Sequence, residues 1–136
     1  MSALRGQTAA TISVDLSIPV QADLVVLARL TAATIAGRAG FGVEDIEDLR
    51  LAVEELCLSL AGARPDGRLD LGYECDDDAI TVKCTYEQGG GTAEQGAEPD
   101  DLSLRILDAL VDEHGTETHG GRPSAWLRKR RSDQPV

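Results

Sequence analysis

Hydrophobic and polar residues alternate along several short segments of the chain, and this period of two predicts strands that bury one face. The segments are residues 11–18, 69–75, 80–86, 116–119 and 124–129. Pro19 ends the first of them, because proline cannot donate a ladder hydrogen bond. The run Asp76-Asp77-Asp78-Ala79 predicts a hairpin turn, and Gly120-Gly121 predicts another. The pattern therefore predicts five strands, four of them in hairpins.

Apolar residues at steps of three and four predict helices over residues 21–38, 44–61 and about 100–113, the last one capped by Asp100 or Asp101. The side chains expected to face the core are Leu24, Leu27, Leu30, Thr31, Ile35, Ile46, Leu49, Val53, Leu56, Cys57, Leu60, Ile106, Leu107, Leu110 and Val111. The element order is β-α-α-β-β-loop-α-β-β. It predicts an α+β sandwich, with a mixed, mostly antiparallel sheet and the helices on one face.

Three segments have no such periodicity and bound a single predicted domain at residues 11–130. Residues 1–10 are expected to be disordered, and residues 131–136 form a predicted tail. Residues 87–99 are rich in glycine and polar side chains, which predicts a flexible loop.

The charge of the chain indicates which kinds of partner it can bind. Its 24 acidic and 13 basic residues give a net charge of −11, which repels nucleic-acid phosphates and suits a basic protein partner. We therefore expect no direct nucleic-acid binding. No apolar run approaches the ~20 residues of a membrane span, and the first residues do not resemble a secretory signal. Three cysteines without C-x-x-C spacing are typical of reduced thiols, and the two histidines fit no metal pair. These observations predict a cytoplasmic protein without a metal site.

The second predicted helix carries a recognisable motif. Residues 46–61 read I-E-D-L-R-L-A-V-E-E-L-C-L-S-L-A. This segment resembles the N-box helix of the anti-sigma-factor serine kinases, a branch of the GHKL (Bergerat-fold) ATPases, which reads roughly I-E-D-L-x-x-A-V-x-E-A-C-x-N-A. The resemblance extends over about residues 12–129 and implies the GHKL fold. It places Glu55 where the family's glutamate prepares the nucleophile, and Ser59 where the family's asparagine holds magnesium. Being four residues apart on a helix, Glu55 and Ser59 point the same way.

The resemblance implies two further nucleotide elements, and both are altered here. Cys84-Thr85-Tyr86 stands at the D-x-G turn, where the family's aspartate binds adenine and its glycine allows close approach. A thiol is a weak hydrogen-bonding group and cannot replace that carboxylate. Asp101-Leu102-Ser103 stands at the G-x-G of the phosphate lid, and Asp101 adds a negative charge there. The resemblance thus implies a degenerate nucleotide site, in which Glu55 is vestigial and neither ATP nor magnesium is expected.

A second likeness lies in the first predicted helix. Ala28-Arg29-Leu30-Thr31 resembles a family segment whose arginine contacts both the sigma factor and its antagonist. The planar, permanently charged guanidinium suits pairing with an acidic residue on either competitor. Arg29 is therefore the predicted partner-binding residue, although an ordinary exposed helix arginine fits the same pattern.

The resemblance implies a bacterial anti-sigma protein that acts by partner switching in a stress response. Such a protein would sequester an alternative sigma factor as a homodimer and would be released by an anti-anti-sigma antagonist. The degraded motifs favour a version without kinase activity. Two alternatives remain: an active serine/threonine kinase that phosphorylates the antagonist with ATP, and a non-catalytic GHKL-fold scaffold with another partner.

Overall fold

The computed structural model describes residues 11–62, 66–88 and 100–132. The predicted disordered start, most of the predicted loop and the end of the predicted tail (residues 1–10, 89–99 and 133–136) lie outside the described residues. The elements are β1 Ile12–Pro19, α1 Val25–Arg38, α2 Val43–Ala61, β2 Arg68–Cys75, β3 Ala79–Glu87, α3 Asp101–Leu110, β4 Glu113–His119 and β5 Arg122–Arg130. A single 3₁₀ turn at Ala22–Leu24 precedes α1.

The five strands form one sheet in the spatial order β1-β2-β3-β5-β4. All four strand pairings are antiparallel, so the sheet, predicted as mixed, has no parallel pair among the described residues. A buried row crosses it from Leu71 through Cys84 to Ala125. α1 contacts β1 and β2, α2 contacts β3 and β5, and α3 contacts β4. The predicted α+β sandwich is confirmed, with its core between the sheet and the helices.

The prediction that Leu27 and Leu30 of α1 face the core is wrong. Their exposed fractions are 44% and 48%, whereas Ala28, Ala32 and Ala36 are fully buried. Alanine allows a helix to approach its neighbours closely, and the Tyr73 hydroxyl donates a 2.9 Å hydrogen bond to the Ala28 carbonyl of α1. The small residues therefore take the buried face, and the two leucines point outward.

α3 is shorter than predicted. Asp100 caps it, as its Oδ1 accepts a 2.8 Å hydrogen bond from the Ser103 amide, and this confirms one of the two predicted caps. The helix ends at Leu110 instead of near Glu113, because Val111 is extended (φ −131°, ψ 169°) and the Asp112 amide donates to the Arg128 carbonyl of β5. Pairing with β5 thus competes with the last helical turn.

The boundaries of the predicted loop and tail also move. Glu87 still belongs to β3, so the strand continues into the predicted loop 87–99. The first tail residues are held in place, since the Arg131 amide donates to the Asp78 carbonyl at 2.7 Å. The Ser132 amide and hydroxyl both donate to the buried Asp45 carboxylate of α2, each at 2.8 Å. The described part of the tail is therefore attached to the domain.

All three cysteines are free thiols inside the core, as the sequence predicts. Burial raises the pKa of the Cys75 thiol to about 11. Within the described ranges, no helix combines the length and apolar character that crossing a membrane requires.

Candidate functional site

The facing sides of α2 and α3 bring together two of the residues that the sequence places in one site. The Ser103 hydroxyl of α3 donates a hydrogen bond to Oε2 of Glu55 on α2. Ser103 is buried, and its position is fixed because its amide is bound to the Asp100 cap. A carboxylate oxygen that already accepts this bond is engaged by the protein itself, which reduces its availability to accept a proton from a substrate hydroxyl.

Ser59 lies one turn beyond Glu55 and faces a cleft of about 250 Å³ between α2, α3, β4 and β5. The cleft is lined by Leu56, Ser59, Leu104, Leu107, His114, Gly115, Thr116 and Ala125. The Ser59 hydroxyl donates to the Leu56 carbonyl at 3.3 Å, so its only hydrogen is used within α2. In the described part of the chain, no group of three or more His, Cys, Asp or Glu side chains could hold a metal ion.

Cys84 lies inside the core and is fully buried. A hydrogen bond with Cys57 of α2, followed by burial, raises the pKa of the Cys84 thiol well above its ordinary value. The thiol is therefore neutral near pH 7 and provides no negative acceptor for an exocyclic amine.

Tyr86 also points to the inner face, two residues further along β3. Its hydroxyl donates a 2.9 Å hydrogen bond to the Asp66 carbonyl, and its ring lies against Gly67. A Cβ atom at Gly67 would lie only 2.8 Å from the Tyr86 hydroxyl oxygen, so the contact is tight. The tyrosine ring thus fills the volume that a glycine at this position would leave open.

Asp101 is exposed and forms the first residue of α3. The neighbouring Asp100 carboxylate already accepts from a backbone N–H of this helix end, and that bond lowers the pKa of Asp100. Helix N-termini bind phosphate through such N–H groups and through their positive dipole end. Here two carboxylates stand at that end, which favours cations over anions.

Arg29 lies away from this group, on the other side of α2. Its guanidinium Nη1 donates a 3.2 Å hydrogen bond to Glu54 Oε1, and the two side chains form a partly exposed ion pair between α1 and α2. Glu54 therefore faces α1, whereas its neighbour Glu55 faces α3. The structure brings Glu55 and Ser103 into contact with Ser59 one turn away, but it keeps Arg29 apart from them.

Sequence reasoning missed the outward-facing leucines of α1 and α2. Leu27 and Leu30 of α1 and Leu51 and Leu58 of α2 are all exposed, and we name these four residues the leucine surface. The available signal was that α1 carries apolar residues on every side, a pattern that indicates a second contact surface besides the core.

No family model matches the chain. Part of it is similar to proteins named serine-protein kinase RsbW from Bacillus cereus (strain AH187), Bacillus thuringiensis (strain Al Hakam) and Bacillus anthracis (strain CDC 684 / NRRL 3495). Each is 40% identical to the chain over 47 residues, which is 35% of this chain. The matched part spans 29% of the length of these relatives.

Proposed function

We propose that this chain, part of which is similar to proteins named serine-protein kinase RsbW, is an anti-sigma protein of the GHKL family that sequesters a sigma factor without phosphorylating a substrate. An anti-anti-sigma protein would release the sigma factor by competing for an overlapping surface. The protein would act in the cytoplasm as a homodimer. Its specificity would come from surface complementarity, since no bond is made or broken.

The main support for this proposal is that the side chains at the nucleotide-site positions contact other parts of the protein itself. Glu55 is hydrogen-bonded to Ser103, Cys84 is sealed in the core, and the Tyr86 ring packs on Gly67. Phosphoryl transfer depends on metal and backbone groups that position the phosphates and neutralise developing charge. Carboxylates at the start of α3 do not position phosphates, and a serine in place of the metal-binding asparagine does not hold the metal.

The partner surface proposed here combines Arg29 with the leucine surface. Exposed apolar side chains together with an arginine are typical of the centres of protein interfaces. Arg29 already forms an ion pair with Glu54. An acidic residue of the sigma factor or of its antagonist would take the place of the Glu54 carboxylate in that pair. The net charge of −11 favours a basic partner such as a DNA-reading sigma factor.

The first experiment is ATP binding by calorimetry with magnesium, on the purified full chain, with an RsbW kinase as the positive control. We expect no heat of binding at ATP concentrations up to about 1 mM. A dissociation constant of that size corresponds to a binding free energy of only roughly 4 kcal/mol. Binding with a dissociation constant in the low micromolar range would contradict the non-catalytic proposal.

The second experiment tests the surface with the sigma factors encoded in the same genome, purified and immobilised one by one. Arg29→Ala is expected to weaken the captured complex about ten-fold or more, the range of a central interface arginine. The matched control is Arg105→Ala on α3, which removes the same side chain elsewhere and is expected to change binding less than about three-fold. Equal effects of the two changes, or no sigma factor captured at all, would contradict the proposal and favour a scaffold with another partner.

A second candidate function is an active serine/threonine kinase that phosphorylates the antagonist with ATP and magnesium. Two observations favour it: Glu55 is retained on α2, and the relatives are named serine-protein kinases. Incubation with radiolabelled ATP and candidate antagonists separates the two functions. Phosphate transfer that disappears in Glu55→Ala would establish the kinase.

A further inference from the structure

The cleft beside Ser59 has the size of one side chain. Its volume is about 250 Å³, and its walls are mainly the leucines Leu56, Leu104 and Leu107. An engineered apolar cavity of roughly 150 Å³ in another protein holds a benzene molecule, whereas pockets for drug-sized molecules occupy roughly 300–1,000 Å³. The cleft therefore suits a single or double aromatic ring better than a larger metabolite.

Three of the residues that line the cleft, Ser59, His114 and Thr116, carry polar side chains. Thr116 is exposed, and the His114 ring nitrogen Nε2 lies 2.6 Å from Asp108 Oδ1. Ser59 adds a hydroxyl whose oxygen retains acceptor capacity. An indole N–H or the polar edge of another aromatic side chain would thus meet acceptors while its ring faces leucines.

Negative charge lies on the side of α3 that carries Leu104. Asp101 and Asp108 lie three residues before and four residues after Leu104, hence on the same side of α3 as this wall of the cleft. Both carboxylates are exposed, and Asp108 extends into solvent next to His114. A ligand with positive charges on either side of an aromatic ring complements this arrangement.

The segment that precedes α3 in the sequence contains no such ring. Residues 89–99 read G-G-G-T-A-E-Q-G-A-E-P, with no aromatic side chain, no large aliphatic one and no positive charge. Residues 89–99 therefore do not complement the cleft, whereas a protein partner with an aromatic side chain between basic residues would.

We propose that the cleft between α3 and β4 is a docking site for one aromatic side chain of a protein partner, flanked in that partner by lysine or arginine residues. Insertion of a large ring into a preformed pocket is how a few residues come to dominate an interface. This inference rests on the cleft and its charges alone. It stands whether or not the partner of the leucine surface is a sigma factor.

The test is an NMR titration of the full ¹⁵N-labelled chain with the synthetic peptide acetyl-Lys-Arg-Trp-Arg-Lys-amide. We expect shifts at the amides of Ser59, Leu104, His114 and Thr116. The same peptide with alanine in place of tryptophan should bind at least about ten-fold more weakly, because the ring provides the buried contact. Raising the salt from about 0.05 M to about 0.5 M should weaken the tryptophan peptide several-fold, since salt screens the flanking charges.

Three variants locate the site. Ser59→Leu fills the cleft from α2 with a good helix former and should reduce peptide binding at least about ten-fold. Leu104→Ala removes one wall and should reduce it about three-fold or more. Leu102→Ala is the matched control: Leu102 is 66% exposed and lies outside the cleft, whereas Leu104 is 37% exposed and lines it. This control should bind like the unaltered chain.

Three outcomes would overturn the proposal. The first is the absence of shifts at millimolar peptide, and the second is binding that Ser59→Leu leaves unchanged. The third is free indole binding as tightly as the tryptophan peptide, because the basic flanks would then contribute nothing and the cleft would be a small-molecule site.

Discussion

Gly67 shows how one residue without a side chain supports the packing of another. Its φ of +103° is a conformation that side-chain-bearing residues rarely adopt, and a Cβ atom would lie 2.6 Å from the Glu87 carbonyl oxygen. Gly67→Ala therefore has to displace backbone as well as the Tyr86 ring. We expect the free energy of unfolding to fall by about 3 kcal/mol or more, measured by urea denaturation.

The control for Gly67→Ala is Gly120→Ala in the β4–β5 turn. Gly120 also has a positive φ of +61°, but no atom lies within 4 Å of the position that its Cβ would take. Only the backbone penalty applies there, about 1 kcal/mol. Equal losses in the two variants would show that the contact with Glu87 and Tyr86 does not limit stability.

At the scale of elements, the turn between β2 and β3 is held by the carboxylate of Asp76. Asp76 Oδ1 accepts hydrogen bonds from the Asp78 amide at 2.8 Å and the Ala79 amide at 2.9 Å, and these bonds lower the pKa of Asp76 from 3.8. A depressed pKa stabilises the fold at pH values above the unfolded-state pKa. The contribution disappears as the pH falls through the lower folded-state value.

Asp76→Asn keeps an acceptor oxygen but removes this charge. We expect it to lower the free energy of unfolding near neutral pH, with the difference from the unaltered chain shrinking below about pH 4. Urea denaturation from pH 2 to pH 7 measures the loss of stability and its dependence on pH. Asp77→Asn removes the same charge from the same turn, so a similar pH dependence in that variant would contradict the role of the two amide bonds.

The strands were predictable because their signal is local. Strict alternation places Leu71 and Cys84 on one face whatever surrounds them, and the structure pairs these two residues directly. Periodicity was insufficient to predict which face of α1 is buried, because α1 carries apolar residues on all sides. There the close approach allowed by its alanines decides the buried face, and that depends on tertiary packing.

The candidate site was likewise predictable only in part. That Glu55 and Ser59 share a side of α2 follows from helical geometry. The hydrogen bond from Ser103 to Glu55 joins residues 48 positions apart, so it exists only once α3 has packed against α2. The shortening of α3 has the same origin, since β5 competes for the residues that follow Leu110.

For the whole molecule, the three buried thiols report on global opening. The pKa of Cys75 is raised to about 11 by burial, and that of Cys84 is also raised, so both are protonated and shielded at pH 8. We expect a disulfide reagent such as dithiobis(nitrobenzoate) to react with the native chain about a thousand-fold more slowly than with the unfolded chain. In denaturant, all 3 cysteines of the sequence should react.

This labelling rate should track stability in the Gly67→Ala and Asp76→Asn variants, because opening has to precede reaction. Rapid reaction of one thiol in the native chain, unaffected by either substitution, would reveal local opening near that cysteine instead.

The buried alanine face of α1 has a kinetic consequence. Ala28, Ala32 and Ala36 are fully buried and the Ala28 carbonyl accepts a hydrogen bond from Tyr73, so rolling or shifting the helix would break these contacts. Leu27, Arg29 and Leu30 are therefore presented in one orientation before any encounter. If the proposed partner docks on these residues, we expect diffusion and long-range charge to set its association rate, with no slow rearrangement of the helix.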